Sequence, residues 1–454
     1  MKNANKNTSD SSCSSGVARR AKGFLSLATV MLGCGTGAAV AQSTPLTIAA
    51  DQGFTIAPEV VTPIVLKTMP SAVCDLHAAG ANQQSLRVYA NFEGYLKFHA
   101  SPKEEADQKM QLDCAADGRI VRYPLHLRIS DSPTSEMPTP RSAMPAPKDS
   151  IFLPGLTEQD ARQLSDEELT RRGYPSRPSG DDESGAYASW LKSVTQESHR
   201  LQPHLIPRSD VFHNPGIQAG ASDSYNWSGY VSDTATKRTY ISVHGEWNQP
   251  GIFGCETNQI TYSAFWVGLD GYGLSELVQA GVESDCINTG GSDYFNLQAW
   301  EELLPNQPTE NDLGISPSPG DYMYVTVWIG DSSGKREGNG GYGWFYVNDM
   351  TQGLWSQIGI PLGKTYFNGR DAEWIMERPG IGGGKLGELT DYDYAYMLNA
   401  EAFTGGEWVD YSKTKDLLQI WLYNEKRNGS DNNELSSAVE HNASTVYFKW
   451  HNYH

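Results

Sequence analysis

The C-terminal half of this 454-residue chain reads as an all-β domain of the antiparallel sandwich or barrel type. A small β-rich segment and a partly helical one precede it. Three observations carry that reading. From Tyr225 onward, short runs rich in Val, Ile, Tyr and Trp are broken by Gly, Pro and Asn-Gly at intervals of about ten residues, the spacing of antiparallel strands and turns. Helical periodicity is nearly absent there. Composition also splits at the same place: from Ala221 the chain holds 13 Lys+Arg against 31 Asp+Glu and eleven of its twelve tryptophans, whereas the remainder is nearly neutral.

Taken in order, residues 1–22 are polar and end in Arg19, Arg20 and Lys22, Gly23 to Gly37 is apolar and small, and Ala39-Val40-Ala41 supplies a cleavage pattern before Gln42. This is the layout of an export signal, 1–41, and it predicts secretion to the periplasm or the exterior. No apolar run of about 18 residues follows, so no membrane contact is expected after the signal is removed. Residues 42–130 contain alternating stretches, Leu86–Phe92 and Arg119–Tyr123, and read as a small β-rich domain. Residues 131–220 combine a Pro/Ser-rich linker with two helical patterns, one from Leu156 to Arg172 and stopped by Gly173-Tyr174-Pro175, the other from about Ala186 to Ser198. Residues 221–454 are the β domain, with strands expected at 240–247, 264–269, 276–282, 296–302, 322–329, 343–347, 373–377, 418–423 and 445–450.

Removing the signal takes Cys13 and Cys34 with it and leaves Cys74, Cys114, Cys255 and Cys286. An even number in an oxidising compartment points to disulfides. Three pairings are possible, and proximity favours Cys74 with Cys114 and Cys255 with Cys286. No C-x-x-C pair suggests structural zinc. The net charge of −19 repels phosphate backbones, which argues against nucleic acid as a partner. An acidic, aromatic-rich half suits work at low pH, where carboxylates neutralise and self-repulsion falls.

Several catalytic motifs are missing or out of context. Gly382, Gly384 and Gly387 fit G-x-G-x-x-G but lie in no strand–loop–helix unit, and neither H-E-x-x-H nor G-x-S-x-G occurs. Strand alternation instead groups acids and amides on common faces: Gln298, Trp300 and Glu302 on one strand, Glu373, Ile375 and Glu377 on another, and Gln279 on a third. Carboxylates on a half-buried aromatic face suffer desolvation, which raises their pKa toward general acid/base use.

In order and spacing, Asn226-Trp227-Ser228-Gly229-Tyr230, Ala264-Phe265-Trp266-Val267-Gly268-Leu269-Asp270-Gly271, Leu277-Val278-Gln279-Ala280-Gly281, Ala299-Trp300-Glu301-Glu302 with Pro305, and Ala372-Glu373-Trp374-Ile375-Met376-Glu377 resemble the blocks of the glutamic peptidases, family G1 or eqolisins. The stretch Leu164–Leu169, Gly173-Tyr174-Pro175 and Trp190-Leu191 resembles the segment that precedes the catalytic domain in bacterial-type members. The resemblance implies a concanavalin-like sandwich of two antiparallel sheets with its cleft on the concave face. It also implies a metal-free, cofactor-free acid endopeptidase made as a zymogen. Its dyad falls on Gln279 and Glu377, with Trp266, Asp270, Trp300, Glu302 and Glu373 in support, and an aspartate expected just before Ala299-Trp300, in the fourth of these blocks, is Gln298 here. Expected partners are protein or peptide substrates and the chain's own propeptide, which acts as an intramolecular inhibitor, in a monomer. Two other readings compete: a glycoside hydrolase using Glu302 and Glu377, and a non-catalytic carbohydrate- or surface-binding module.

Overall fold

The computed structural model describes residues 53–454 apart from 57–60, 80–84, 91–93, 104–106, 130–150, 178–184, 196–197, 202–205, 217–221, 425–432 and the single positions 154, 173, 176, 209, 235, 290, 308 and 366. The signal reading and the Pro/Ser-rich linker lie outside the described residues.

Two antiparallel sheets dominate. The first runs, in spatial order, Leu417–Tyr423, Trp227–Asp233, Asp371–Glu377, Ile260–Leu269, Leu277–Thr289, Ser292–Leu304. The second runs Glu407–Asp410, Tyr394–Thr404, Ser242–Asn248, Tyr322–Gly330, Tyr342–Asp349, Leu354–Pro361. Strands Glu434–Asn442 and Thr445–Trp450 link one sheet to the other. The period of two decides which side chains meet. Phe265, Val267 and Leu269, Val278, Ala280 and Val282, and Trp374 and Met376 point from the first sheet into one buried cluster with Val243 and Trp247, Val325 and Val327, and Phe345 and Val347 of the second. That shared cluster is a sandwich core, and each of its large side chains contributes about 2–3 kcal/mol by leaving water.

The expected strands form, though most are longer than the pattern suggested; Leu277–Thr289 and Ser292–Leu304 reach 13 residues each. Strands 227–233, 354–361, 394–404 and 434–442 were not foreseen. The first and last of these carry polar or small residues at core-facing positions, Ser228 and Ser232 in one and Ser436 in the other, which hides the alternation.

Residues 53–129 build a five-stranded sheet in which Cys74 and Cys114, paired across two strands, form a disulfide. The second disulfide joins Cys255 to Cys286. Strand Tyr95–Pro102, paired antiparallel with Thr62–Lys67, adds directly to the start of strand Ser292–Leu304. The helical stretch splits into Glu158–Gln163, capped by Thr157, and Asp166–Arg171; a third helix covers Gly185–Thr195. Tyr187, Trp190 and Val194, at helical spacing, pack on Tyr324, Trp328, Tyr346 and Trp355 of the outer face of the second sheet. No helix among the described residues is long and apolar enough to cross a membrane.

Candidate active site

The other face of the first sheet is where chemistry collects. Alternation there presents Trp266 and Gly268, Gln279 and Glu283, Gln298, Trp300 and Glu302, and Glu373, Ile375 and Glu377, and Trp227, Trp266, Trp300 and Ile375 form a second buried cluster beneath the polar groups. Strand register sets the spacing between these groups. Glu377 stands level with Ala264 and Trp227, whereas Gln279 stands level with Gly268 on one side and Glu302 on the other. Trp266 lies between the two levels.

Glu377 is fully buried and closely held. Trp266 Nε1–H donates to its Oε2 at 2.9 Å, and the Asn214 backbone N–H reaches Oε1 at 3.3 Å. The Gln279 Nε2–H donates to Glu302 Oε2 at 2.8 Å, while Gln279 Oε1 is buried with no partner among the described residues. An amide nitrogen has two donors, so one N–H and the carbonyl of Gln279 remain unspent. No hydrogen bond joins Gln279 to Glu377 among the described residues. Burial holds the Glu302 carboxyl well above the usual range; the charges of Glu310 and Glu377 add to that, and His213 and the Gln279 bond oppose it.

The remaining expected residues separate by position. Glu373 lies level with Gly268, and its carboxyl is raised by burial and then by Asp371 and Asp270. A Cβ on Gly268 would stand 3.2 Å from Glu373 Oε2, so the glycine leaves room on this face. Asp270 sits just past the strand end, in the left-handed region at φ 62°. It accepts backbone N–H bonds from Asn368, Gly369 and Arg370 at 2.8–2.9 Å and from Asp371 at 3.4 Å. It clamps the turn that feeds the Glu377 strand and makes no contact with Gln279 or Glu377. Gln298 donates to Glu310 Oε1 at 2.9 Å; an aspartate there would set a second carboxylate against Glu310.

Five groups escaped the sequence reading, His213, Arg208, Glu283, Asp285 and Glu310, and they meet at the centre. His213 is fully buried, stacked on Trp300 with ring centroids 3.9 Å apart at 12°, its Nδ1 3.0 Å from Glu377 Oε2 and its Nε2 2.7 Å from Glu310 Oε2. Burial alone would lower the imidazole pKa, but Glu377 and Glu310 outweigh it and hold the ring well above its ordinary value. It is therefore an imidazolium, donating an N–H to each carboxylate. Arg208, also fully buried, lies 3.0 Å from Asp285 and 3.3 Å from Glu310. Glu283 is raised well above the usual range by burial and by Asp285 and Glu310, and Asp285 is pushed up to about 6 by burial against the pull of Arg208. Glu283 and Asp285 were findable: extending the Gln279 alternation by four and six residues reaches them. His213 lies in a loop with no periodicity to mark it.

His213, Glu283 and Glu310 bring candidate ligand atoms within 4.8 Å of one another, as do Glu256, Glu388 and His454 at the surface. In the first group both ring nitrogens are already engaged by carboxylates.

Residues 225–449 match the Peptidase A4 family. Among solved structures, scytalido-glutamic peptidase with a peptide-based transition state analog is 17% identical, covering 50% of this chain and 98% of its own at a TM-score of 0.39. SCP-B, a member of the eqolisin family in complex with the tripeptide Ala-Ile-His, is 16% identical over the same shares at 0.37. Aspergilloglutamic peptidase from Aspergillus niger is 24% identical, covering 42% of this chain and 99% of its own at 0.32. No curated protein matches.

Proposed function

Because residues 225–449 place the chain in the Peptidase A4 family, the glutamic peptidases, we propose that it is a secreted, monomeric acid endopeptidase in which Glu377 and Gln279 activate water without a metal, held latent by its own residues 42–220. The observation that carries the proposal is the state of Glu377. This carboxylate is buried on an aromatic face, aimed by the Trp266 N–H, and stoppered by an imidazolium from the upstream segment.

With the stopper gone, the place of the His213 nitrogen beside Glu377 Oε2 suits a water molecule. Glu377 takes a proton from that water as it attacks the scissile carbonyl, then returns it to the leaving amine. The free N–H of Gln279 donates to the developing oxyanion, an interaction worth about 3 kcal/mol. Glu302, kept protonated by burial, fixes the orientation of that amide by accepting its other N–H. Asp270 sets the register of the strand that carries Glu377.

Latency follows from the same contacts. The strap 206–216 pairs with Asn311–Asp312, crosses the face and bridges Gly380, so it fills the path of a substrate. Release in acid fits a lock built on ion pairs between the strap and the β domain, His213 with Glu377 and Arg208 with Glu310. The family membership favours hydrolysis of peptides over the glycosidase and binding-module readings. The test is acid incubation of the full chain, followed by intact mass and cleavage of a denatured protein from pH 2 to 7 with pepstatin and a chelator present. Loss of residues up to about 220 with inhibitor-resistant acid cleavage is expected; a fully active chain that retains 42–220 would overturn the latency, and no cleavage after processing would overturn the peptidase.

A further inference from the structure

The strap is fixed at two points, and at each a cationic side chain is set into an acidic pocket. Arg208 lies 3.0 Å from Asp285 Oδ2, 3.3 Å from Glu310 Oε1 and 2.9 Å from Asp210 Oδ2, with its guanidinium 5.4 Å above the Tyr89 ring. Five residues on, His213 occupies the position beside Glu377. Between them the strap behaves as a substrate strand would: Phe212 N–H donates to Gly380 O and Gly380 N–H to Phe212 O, both at 2.8 Å. Of the groups around the Arg208 guanidinium, Asp210 and Tyr89 belong to the upstream segment, and Asp285 and Glu310 to the β domain. Glu283 borders the same pocket, and neither of its oxygens finds a donor among the described residues.

Resting on the reading above, in which the strap leaves on processing, we propose that Glu283, Asp285 and Glu310 form a substrate subsite that selects an arginine or lysine side chain, and that Arg208 fills it as a built-in substrate mimic. The pocket is made by the sheet itself: Glu283 and Asp285 alternate on one strand, and Glu310 immediately precedes the short strand Asn311–Asp312. Removing the strap leaves three buried carboxyls without a counter-charge. A substrate guanidinium restores it, and its planar fork reaches Asp285 and Glu310 together. An uncharged side chain of the same length leaves those acceptors unpaired, which is the basis of strong discrimination.

The experiment uses enzyme processed from the full chain and a peptide series in which each position around the cleaved bond carries Arg, Lys, norleucine or Glu in turn, read at the highest pH that supports cleavage. At one position Arg is expected to raise kcat/KM at least tenfold over norleucine, and Asp285→Asn to cut that ratio below threefold, with the norleucine peptide as internal reference. Equal rates at every position, or a ratio that survives Asp285→Asn, overturn the subsite. If no peptide is cleaved, the peptidase reading fails instead. Binding of a peptide spanning 206–216, with Arg208 or with norleucine in its place, then decides the subsite by tryptophan fluorescence. At least tenfold weaker binding of the norleucine peptide supports the subsite, and equal binding overturns it.

Discussion

His213 Nδ1 lies 3.0 Å from Glu377 Oε2, so an imidazolium from the upstream segment and the carboxylate proposed as general base form a buried ion pair. Breaking such a pair by removing one partner leaves an uncompensated charge. In the full chain at neutral pH, His213→Ala is expected to speed self-processing at least tenfold, read as the rate of loss of the intact mass. His213→Gln, which keeps one donor, should fall between. Unchanged latency in both variants would mean that the strap inhibits by its main chain alone.

Gln279 spends one N–H on Glu302 and keeps the other. Gln279→Ala removes the oxyanion donor and should lower kcat by about 10²–10³ with a much smaller effect on KM. A change confined to KM would contradict the assignment.

Asp270 accepts four backbone N–H bonds from the turn at 368–371 and touches neither member of the dyad. Asp270→Asn replaces one acceptor oxygen by a donor facing those same N–H groups. It is expected to cost about 2–3 kcal/mol of stability, measured by denaturant unfolding of the inactive Glu377→Gln background. If stability were unchanged while cleavage was lost, Asp270 would belong to the chemistry and not to the scaffold.

Burial raises many carboxyls in the folded state: Asp285 to about 6, Asp312 to about 7, Glu301 and Glu401 to about 8 and Asp371 to about 9, with His213 raised as well. A group whose folded pKa is raised stabilises the protein fully below its unfolded pKa and loses that contribution as pH climbs through the folded value. Asp210, lowered because Arg208 outweighs its burial, Asp331, lowered by the Ser333 hydroxyl, and His99, lowered well below its ordinary value by burial, run the other way but are outnumbered. The melting temperature of Glu377→Gln is therefore expected to fall by several degrees from pH 4 to pH 8; a rise over that window would contradict the burial account.

Much of the fold was legible because long strands with one face in a core keep a strict period of two, and the acids and amides of the other face could be read from the same alternation. Gln279, Glu302 and Glu377 were recoverable in this way, and the five family-like blocks fell on strands and turns of one sheet. The sequence singled out Asp270 but not the turn at 368–371 that it clamps, since a carboxylate holding a distant turn leaves no local mark. His213, Arg208 and Glu310 were not legible. They lie in a strap and just before the short strand Asn311–Asp312, where no periodicity marks them, and their placement depends on contacts made across the sheet face. The helical stretch at 156–172 broke in two because the chain turns at Leu164, extended at ψ 142°, before Ser165 starts the next helix with its side chain accepting the Glu168 N–H.

The central claim is that Glu377 carries the proton in peptide hydrolysis. It is tested most directly by kcat/KM for one peptide at acid pH, comparing processed wild type with Glu377→Gln treated by an added processed enzyme to remove its own upstream segment. A loss of at least 10³-fold in a folded variant is predicted. Activity within tenfold of wild type would contradict the account.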